Sequence, residues 1–382
     1  MKESILIQAW GIYTCNGKNY IEYTHYVYLK NILNIYKNIY LLSPAKKVDI
    51  EDLNNLYELS DDIIVYQLPE FSSYTSAYKN FFKYIAVYDR IKNNNFDLVY
   101  SRFPSPFGWL QKFYFKGKRV VHFVGDPIDT LIKNPKVSIL KKIFKTIAFL
   151  PEYLFFVWSC FGDNVKAYSN GHHISDKLKK YKLNVKPMIS STLTENDFYE
   201  KSNSMGYSDV CKLIYVGYLR KAKGVDVVVE AFDDLINKFP GKFSLTIIGS
   251  GEEEGNLKKI NTERKLGINF LGHIDDRNLL NKLLREHDVF CFASVSEGSP
   301  RVILEAIANG LNVVTTPVGS LPYIFIDNED LLYFDFNSKT ELSRKIEMLS
   351  ESSSLQVKLR KNSYEKVKKF KINSFIGEIF GA

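Results

Sequence analysis

The sequence has few of the features that stabilise small secreted domains. It contains four cysteines in 382 residues, and none of them belongs to a Cys-x-x-Cys pair. Scattered thiols of this kind argue against a disulfide framework and against a zinc site. They favour reduced cysteines in a cytosolic compartment. The four are Cys15, Cys160, Cys211 and Cys291.

Long apolar runs are also lacking. The opening stretch, MKESILIQAWG, has a short apolar run and no cleavage site, so we expect no signal peptide. The longest apolar stretch, TIAFLPEYLFFVWSCF at 146–161, is interrupted by Pro151 and Glu152. It is too short and too polar to predict a membrane-spanning helix. We therefore expect a cytoplasmic protein.

Motifs for metal ions and redox cofactors are missing as well. No Asp-x-Asp triplet occurs, and the adjacent His172 and His173 cannot share a helix face. In GSGEEEG the third glycine, Gly255, falls outside the dinucleotide-binding spacing, and the acidic run 252–254 would repel a pyrophosphate. We expect no metal ion and no bound cofactor.

What is present is a chain long enough for two domains. The 45% hydrophobic and 25% charged residues are typical of globular proteins. The net charge of +8 is concentrated, because residues 101–150 hold ten Lys and Arg against two Asp. Such a segment fits an anionic partner, and it also fits lysines on solvated helix surfaces.

Strand-like and helix-like runs alternate along the chain, which predicts parallel α/β domains. The polar stretch YEKSNSMGYSDVC separates two such series. We predict an N-terminal Rossmann-like domain over 1–200, a linker over 201–210 and a C-terminal Rossmann-like domain over 211–365. The final helix, 366–382, is expected to join the first domain.

The most informative segment is SVSEGSPRVILEAIANGLNVV, residues 294–314. We expect Ser299 to cap a helix that starts at Pro300 and ends at Gly310. Glu305 lies among apolar residues of this helix, where a carboxylate needs a partner. Two partners remain open: Arg301, one turn earlier, or a pair of ligand hydroxyls such as a ribose diol.

Four segments in order resemble the retaining glycosyltransferases of the family 4 type. They are YVGYLRKAKGVDVVVEAF (215–232), IIGSGEE (247–253), INFLGHIDD (268–276) and SEGSPRVILEAIANGLNVVTTPVGSLP (296–322). Weaker likenesses occur in the first half, in FDLVYSRFPSPFG, VVHFVGDP and ISSTLTENDFY. The resemblance implies the GT-B fold, with two Rossmann-like parallel-sheet domains facing a central cleft.

The resemblance also implies roles for particular residues. Glu305 would bind the ribose of a UDP-, GDP- or ADP-sugar, and Glu297 the hydroxyls of the donor sugar. Lys223 would neutralise the leaving diphosphate, a charge that grows in the transition state. The remaining donor-binding candidates are Gly217, Gly249, Gly251, His273, Ile274, Gly298, Ser299, Pro300, Arg301, Val302 and, in the first domain, Gly17.

Several positions depart from the family pattern. Tyr218 stands where an arginine is usual, so Arg220 becomes the candidate for that charge, and Tyr323 replaces a common glutamate. The usual glycine pair of the first domain is Asn16-Gly17, and His122 lies inside a strand instead of at its end. Asp126, at a predicted strand end, is then the first-domain candidate for contacting the donor sugar or the acceptor. The alternative is an aspartate that caps a helix or turn before Pro127.

The segment 136–161 combines lysines with large apolar side chains. Lys141, Lys142 and Lys145 beside Ile143, Phe144, Phe149, Phe155 and Trp158 fit a helix on an anionic bilayer. An ordinary core helix with a charged outer face fits as well.

The resemblance as a whole implies a metal-independent, retaining hexosyltransferase. It would move a sugar from a nucleoside-diphosphate sugar to a glycan or lipid-linked acceptor in surface polysaccharide biosynthesis, at the inner face of the membrane and without nucleic acid. Two alternatives stay open. One is a catalytically weak GT-B subunit that binds nucleotide sugars, and the other is a nucleotide-sugar epimerase or hydrolase.

Overall fold

The computed structural model describes residues 1–53, 55–133, 137–201, 209–295, 297–336 and 338–381. It divides into two compact units, Met1–Met188 with Asn373–Ala382, and Ile189–Ile372. The sequence predicts a boundary at residue 200, whereas residues 189–200 belong to the second unit. Most of the predicted linker, residues 202–208, lies outside the described residues.

The first unit is a mainly parallel sheet with helices between its strands. Its strands are β1 (Lys2–Gln8), β2 (Ile12–Cys15), β3 (Lys18–Glu22), β4 (Tyr36–Lys47), β5 (Leu56–Glu58), β6 (Ile63–Leu68), β7 (Leu98–Phe103), β8 (Arg119–Phe123), β9 (Val165–Asn170) and β10 (Val185–Met188). Its helices are α1 (Tyr23–Ile32), α2 (Tyr74–Lys79), α3 (Phe81–Ile91), α4 (Gln111–Tyr114), α5 (Pro127–Lys133), α6 (Ile139–Ser159) and α7 (His172–Lys179). The strand order is β10-β9-β8-β7-β1-β4-β2-β3-β5, with β6 also paired to β4.

The second unit is a parallel sheet throughout. Its strands are β11 (Cys211–Val216), β12 (Phe243–Ile248), β13 (Asn269–Gly272), β14 (Val289–Phe292), β15 (Asn312–Thr315) and β16 (Leu332–Tyr333). Its helices are α8 (Val225–Lys238), α9 (Glu254–Arg264), α10 (Arg277–Arg285), α11 (Arg301–Ala308), α12 (Leu321–Ile324), α13 (Lys339–Glu351) and α14 (Ser353–Val367). A last helix, α15 (Ile372–Phe380), has its residues from Asn373 onward in the first unit.

The strand order of the second unit is β13-β12-β11-β14-β15-β16. In chain order within the unit this is 3-2-1-4-5-6, the order of the doubly wound dinucleotide-binding fold. The central strands read as continuous apolar runs because helices cover both faces of the sheet. All four residues of β14 and all four of β15 are buried.

The predicted loop around Asn16-Gly17 is instead a β-hairpin turn. Strands β2 and β3 pair antiparallel, with Cys15 opposite Lys18, so that Asn16 and Gly17 form a two-residue connection. Both residues have positive φ, 48° and 78°, as the tight hairpin turns require. The Asn-Gly pair therefore has a local structural role that the family comparison did not anticipate.

Buried polar contacts tie the strands of the first unit together. His122, inside β8 as expected, contacts the hydroxyl of Tyr100 at 2.8 Å and the Oδ1 atom of Asn170 at 2.9 Å. Burial lowers the pKa of His122 to about 3, so its imidazole is neutral. Helix α15 is held by the hydroxyl of Tyr36, which donates to the carbonyl of Phe380 at 2.8 Å.

Helix α6 carries a buried carboxylate. Glu152 accepts hydrogen bonds from the backbone N–H of Phe107 at 2.7 Å and from the indole N–H of Trp109 at 2.8 Å. It is 1% exposed. Burial raises the pKa of Glu152 to about 7, although the two hydrogen bonds favour the ionised form. The chain from Phe107 to Trp109 is thereby fixed to the middle of α6.

This arrangement predicts a pH-dependent stability of the first unit. Because the folded-state pKa lies above the ordinary value of 4.5, the contribution of Glu152 is complete below about pH 4.5 and is lost as pH rises through 7. The loss amounts to roughly 3 kcal/mol. We expect Glu152→Gln to flatten the fall in unfolding temperature between pH 5 and pH 8, measured by circular dichroism. The exposed Glu70→Gln variant, in the same unit, should keep the wild-type slope; an unchanged slope in Glu152→Gln would contradict the assignment.

Candidate active site

The carboxyl ends of β11 and β14 define the centre of the second unit. These neighbouring strands pair in parallel, with Leu213 opposite Val289. They are the first and fourth strands of the unit, where the chain reverses its direction of winding. In open α/β sheets, ligands bind beyond the carboxyl ends of the strands at this switch point. The two loops that leave these strands carry the main sequence candidates.

Lys223 and Glu297 meet at this position. The Lys223 ammonium forms an ion pair with the Oε1 atom of Glu297. The same oxygen accepts a hydrogen bond from the hydroxyl of Ser294 at 3.0 Å. The Lys223 and Glu297 side chains are 17% and 15% exposed, so the pair is partly shielded but open to solvent. Two groups predicted separately from the sequence are thus direct neighbours.

A close backbone contact makes the meeting possible. Gly224 lies at the start of α8 with φ of 64°, and a Cβ atom there would come 2.0 Å from the carbonyl oxygen of Ala293. The backbone N–H of Val295 also donates to the carbonyl of Ala222 at 3.1 Å. Only glycine permits this approach of the two loops.

A close approach of two backbone segments also explains the glycines predicted after β12. A Cβ atom at Gly249 would lie 1.9 Å from the carbonyl oxygen of Gly217, and one at Gly251 would lie 2.4 Å from that of Leu219. The N–H of Leu219 donates to the carbonyl of Ser250 at 2.9 Å. Gly217, Gly249 and Gly251 are therefore brought together by backbone packing, whatever they contact in a ligand.

The loop before α11 packs against the segment that follows β15. The N–H of Ser320 donates to the carbonyl of Gly298 at 3.1 Å. A Cβ atom at Gly319 would lie 2.5 Å from the carbonyl oxygens of both Glu297 and Gly298. The backbone around Glu297 is thus fixed in position.

The start of α11 differs from the expectation. The helix begins at Arg301, and its N-cap residue is Pro300, with φ of −74° and ψ of 92°. Ser299 is not the cap, because the chain turns into helical geometry one residue later than predicted. The N-terminal turn, with Arg301 and Val302, still follows directly after the loop that carries Glu297. Gly310, with φ of 83°, lies beyond the end of the helix as expected.

Glu305 is paired, but its partner is Arg277 and not Arg301. The Nη1 atom of Arg277, on α10, lies 2.9 Å from the Oε1 atom of Glu305. The Nε atom of Arg277 donates to Oδ1 of Asp197 at 2.9 Å. The Glu305 side chain is 14% exposed, so it remains accessible from one side. The helical i, i+4 pairing suggested by the sequence is overridden by a tertiary contact.

Arg277 is the centre of this charge cluster. Burial acts to lower its pKa, but the carboxylates of Glu305 and Asp197 hold the pKa above the ordinary value. Burial likewise acts to raise the pKa of Asp197, and Arg277 with hydrogen bonds from Thr194 and Asn281 holds that pKa below its usual range. The Nη2 atom of Arg277 is buried and has no hydrogen-bond partner among the described residues. A buried donor of this kind normally has a partner, so a ligand or a water molecule fits here.

The remaining second-unit candidates are more exposed. The guanidinium of Arg220 lies over the ring of Tyr218, 6.0 Å from its centroid, and both side chains are solvent-exposed. His273 is 62% exposed and contacts Asp275 at 2.9 Å, while Ile274 packs against the core. Arg220 is also a charged neighbour of buried Tyr215, whose pKa is raised by burial and by the charge of Glu297.

The first-unit candidate Asp126 has structural contacts of its own. Its Oδ1 atom accepts from the N–H of Asp129 at 3.0 Å, in the first turn of α5, and its Oδ2 atom forms an ion pair with Lys177. The helix-capping alternative thus describes part of what this residue does. Asp126 also lines a small pocket with Gly125 and Tyr153. Its role toward a substrate stays a prediction.

In the described part of the chain, no group of three or more His, Cys, Asp or Glu residues is positioned to hold an ion.

The sequence analysis missed Arg277 and Asp197. Asp197 lies in the quoted stretch ISSTLTENDFY, and Arg277 directly follows the quoted stretch INFLGHIDD. The available signal was the unexplained charge of Glu305, which required a cation. Nothing in the local pattern indicated that the cation would come from α10.

Solved structures define the class of this fold. WaaG, a glycosyltransferase involved in lipopolysaccharide biosynthesis, matches with a TM-score of 0.68 and 15% identity over 99% of this chain and 100% of its own. HepE of Anabaena, solved in complex with UDP, matches with a TM-score of 0.66 and 15% identity over 99% of each chain. The predicted GT-B fold class is confirmed.

The amino-acid sequence of the second unit is similar to a family of glycosyltransferases. Residues 202–366 match the family model for glycosyl transferases group 1. An uncharacterized glycosyltransferase of Haemophilus influenzae is 31% identical over 138 residues, 36% of this chain and 37% of the relative. The lipopolysaccharide core biosynthesis glycosyltransferase LpsE of Rhizobium meliloti is 29% identical over 160 residues, 41% of this chain and 45% of the relative. The chain thus matches less than half the length of these curated relatives, and the resemblance noted from the motifs is confirmed for the second unit.

The Arg277 cluster yields a stability prediction. Replacing Arg277 by Met leaves the carboxylate of Asp197, which is 4% exposed, without its cation. We expect a loss of about 3–5 kcal/mol in the unfolding free energy of the second unit, measured by urea denaturation. The matched control is Arg264→Met, because Arg264 also contacts two carboxylates, Glu230 and Asp233, but is 44% exposed. The control should cost much less, because its ion pairs are exposed to solvent; equal losses in both variants would contradict a special role for the buried cluster.

Proposed function

We propose that the protein is a retaining glycosyltransferase that moves a sugar from a nucleoside-diphosphate sugar to a glycan or lipid-linked acceptor. The observation that carries the proposal is the Lys223–Glu297 pair at the switch point of a group 1 glycosyltransferase domain. This position is where doubly wound sheets bind ligands, and it holds one cation and one carboxylate at the edge of solvent.

The chemistry of the pair suits a sugar diphosphate. The ammonium of Lys223 is a compact charge for the diphosphate, and a carboxylate such as Glu297 accepts hydrogen bonds from sugar hydroxyls. The N-terminal turn of α11 follows Glu297 directly, and its free N–H groups favour an anion. HepE, which shares the fold, has been solved with UDP and with UDP-glucose, which supports a nucleotide-sugar donor here.

Glu305 is assigned to the ribose of the donor. Its contact with Arg277 restrains the carboxylate and compensates its charge while the side chain stays partly exposed. A carboxylate has more acceptor positions than one guanidinium contact uses, so a ribose diol can donate to the same group. The ion pair and the ligand contact are therefore compatible.

The reaction can proceed without a dedicated protein base. The acceptor hydroxyl attacks the anomeric carbon on the face from which the diphosphate leaves, the carbon–oxygen bond to the diphosphate breaks, and the hydroxyl proton passes to a phosphate oxygen. Lys223 stabilises the charge that develops on the departing diphosphate, a contribution that lowers the barrier. Arg220, close to the same loop, is the second candidate for this role. We propose that these groups and the α11 amides serve in place of a metal ion.

The acceptor and the setting are inferred from the relatives. LpsE is named for lipopolysaccharide core biosynthesis, and WaaG for involvement in lipopolysaccharide biosynthesis. We propose surface polysaccharide assembly at the cytoplasmic face of the membrane as the corresponding setting for this chain.

Donor binding can be tested by titration calorimetry with UDP, GDP and ADP. We expect one of the three to bind the wild-type protein, and Glu305→Gln to weaken it by one to two orders of magnitude, because a hydrogen bond to a charged group is lost. The Glu305→Gln protein should stay folded at the temperature of the titration, because Arg277 keeps its ion pair with Asp197. The control is Glu347→Gln, at a lysine-paired glutamate elsewhere in the unit. A Glu305→Gln protein that melts early but binds nucleotide normally would make the Arg277 contact purely structural.

Turnover can be tested on the donor that corresponds to the nucleotide bound. We expect Lys223→Met to lower the release of nucleoside diphosphate from that donor, with water as acceptor, by roughly two to three orders of magnitude. Donor affinity should change much less, because the charge that Lys223 stabilises grows in the transition state. Lys221→Met, at an exposed lysine of the same loop, should keep the wild-type rate.

The departures at Tyr218 and Tyr323 favour one alternative, a nucleotide-sugar-binding subunit without turnover. That alternative predicts donor binding with no release of nucleoside diphosphate or free sugar by the wild-type protein. An epimerase or hydrolase would convert the donor rapidly without any added acceptor.

A further inference from the structure

Helix α6 has two apolar faces, and only one of them is covered. Phe149, Tyr153, Phe156 and Val157 are buried in the core of the first unit. A second set of large side chains points to solvent, at the helical spacing that places residues on one side. We call this set the apolar face of α6: Leu140, Ile143, Phe144, Ile147, Leu150, Leu154, Phe155 and Trp158, which are 38% to 80% exposed.

The exposed apolar residues belong to a helix that is fixed in the first unit. The buried face of α6 packs into the core of the first unit, and the hydrogen bonds to Glu152 fix the helix to the segment 107–109. Phe149, which the sequence analysis grouped with the outward-facing residues, belongs to the buried face at 6% exposure. The core-helix interpretation is therefore correct for one side of α6, and the other side needs its own explanation.

Aromatic side chains extend the apolar face at its C-terminal end. The ring of Phe155 stacks on Trp109 with centroids 4.3 Å apart, and Phe113 packs on Trp158 at 5.0 Å. The ammonium of Lys112 lies 4.0 Å from the centroid of Trp158. Tryptophan with a neighbouring lysine is typical of groups at the boundary between lipid tails and headgroups.

The exposed charges on α6 itself have one sign. Lys141 and Lys145 are exposed between its apolar residues. The only acidic residue in the sequence of α6 is Glu152, and that side chain is buried. The face thus presents hydrocarbon together with positive charge and no exposed carboxylate.

The dimensions fit a helix that lies along a surface. The 21 residues of α6 span roughly 30 Å. Within the described residues, none of the helices combines the length and the hydropathy that crossing a bilayer would require. The apolar residues of α6 can leave water only by lying flat on an apolar partner.

We propose that the apolar face of α6 docks on an anionic lipid bilayer, with its side chains among the acyl chains and with Lys112, Lys141 and Lys145 at the headgroups. A helix with this distribution lies in the interface and gains from both burial of apolar area and attraction to anionic lipid. A second copy of the chain is a poorer occupant, because a two-fold contact would set the same lysines against each other. The proposal stands independently of the sugar-transfer reaction, since it rests on the first unit alone.

The test is co-sedimentation of the whole protein with vesicles. We expect the wild-type protein to bind phosphatidylcholine vesicles that contain phosphatidylglycerol, and to bind pure phosphatidylcholine weakly or not at all. Binding should weaken as salt is raised. The double variant Lys141→Gln/Lys145→Gln should lose on the order of 30-fold in partitioning, about fivefold for each lysine. Phe144→Ser/Ile147→Ser should lose at least tenfold, because the apolar area available for insertion falls.

Matched controls lie in the first unit outside α6. Ile50→Ser removes a side chain that is 67% exposed, against 64% for Ile147. Lys46→Gln/Lys47→Gln removes two exposed lysines near the end of β4. Both controls should bind vesicles as the wild type does.

Each other outcome would overturn the proposal. Equal binding to neutral and anionic vesicles would show that the lysines do not contribute to binding. Equal losses of vesicle binding in the control variants would show that the binding is not specific to α6. A wild-type dimer in light scattering that Phe144→Ser/Ile147→Ser converts to a monomer, without vesicle binding, would make a second copy the occupant. Circular dichroism checks that the variants are folded. If Phe144→Ser/Ile147→Ser does not fold, the lysine variant still tests the proposal. Failure of nucleotide binding would count against the proposed reaction and would leave vesicle binding unaffected.

Discussion

The second unit depends on the contact of two backbone loops at the switch point of its sheet. Strands β11 and β14 are neighbours only because the chain winds outward in one direction and then returns to wind in the other. The loops that follow them approach so closely that a methyl group at Gly224 would collide with the carbonyl of Ala293. This contact brings Lys223 next to Glu297. The chemistry proposed for the site needs both charges together, so it depends on a glycine that itself touches no ligand in the proposal.

Buried charge is handled in two different ways in the molecule. Arg277 lies between Asp197 and Glu305, and the opposite charges keep all three groups compatible with a partly buried position. Glu152 has no cation and depends on two N–H donors, which do not fully offset the loss of water, so the pKa of its carboxyl rises to about 7. The first arrangement pairs a carboxylate with a buried guanidinium at a position that a ligand can reach. The second fixes a loop to α6 at some cost in stability at neutral pH.

Much of the fold followed from the sequence because its signals are local. Alternating strand-like and helix-like runs predicted two parallel α/β units, and the structure has two units, one with a mainly parallel sheet and one with a parallel sheet. The Asn16-Gly17 hairpin could have been read from turn chemistry, but the family comparison favoured a ligand-binding loop there. The start of α11 was misplaced by one residue, which is the usual uncertainty of a helix boundary.

The sequence by itself identified candidate functional residues: a lysine and a glutamate after two buried strands, a carboxylate in an apolar helix, and a run of lysines among large apolar side chains. Only the tertiary structure decided their partners. Glu305 pairs with Arg277 on another helix. Lys223 pairs with Glu297, and the two residues lie in loops that follow two different strands. Some aromatic residues of α6 lie in the core, and others are exposed to solvent. The physical reason is that periodicity and propensity act over a few residues, whereas ion pairs and burial depend on which distant segments the strand order brings together.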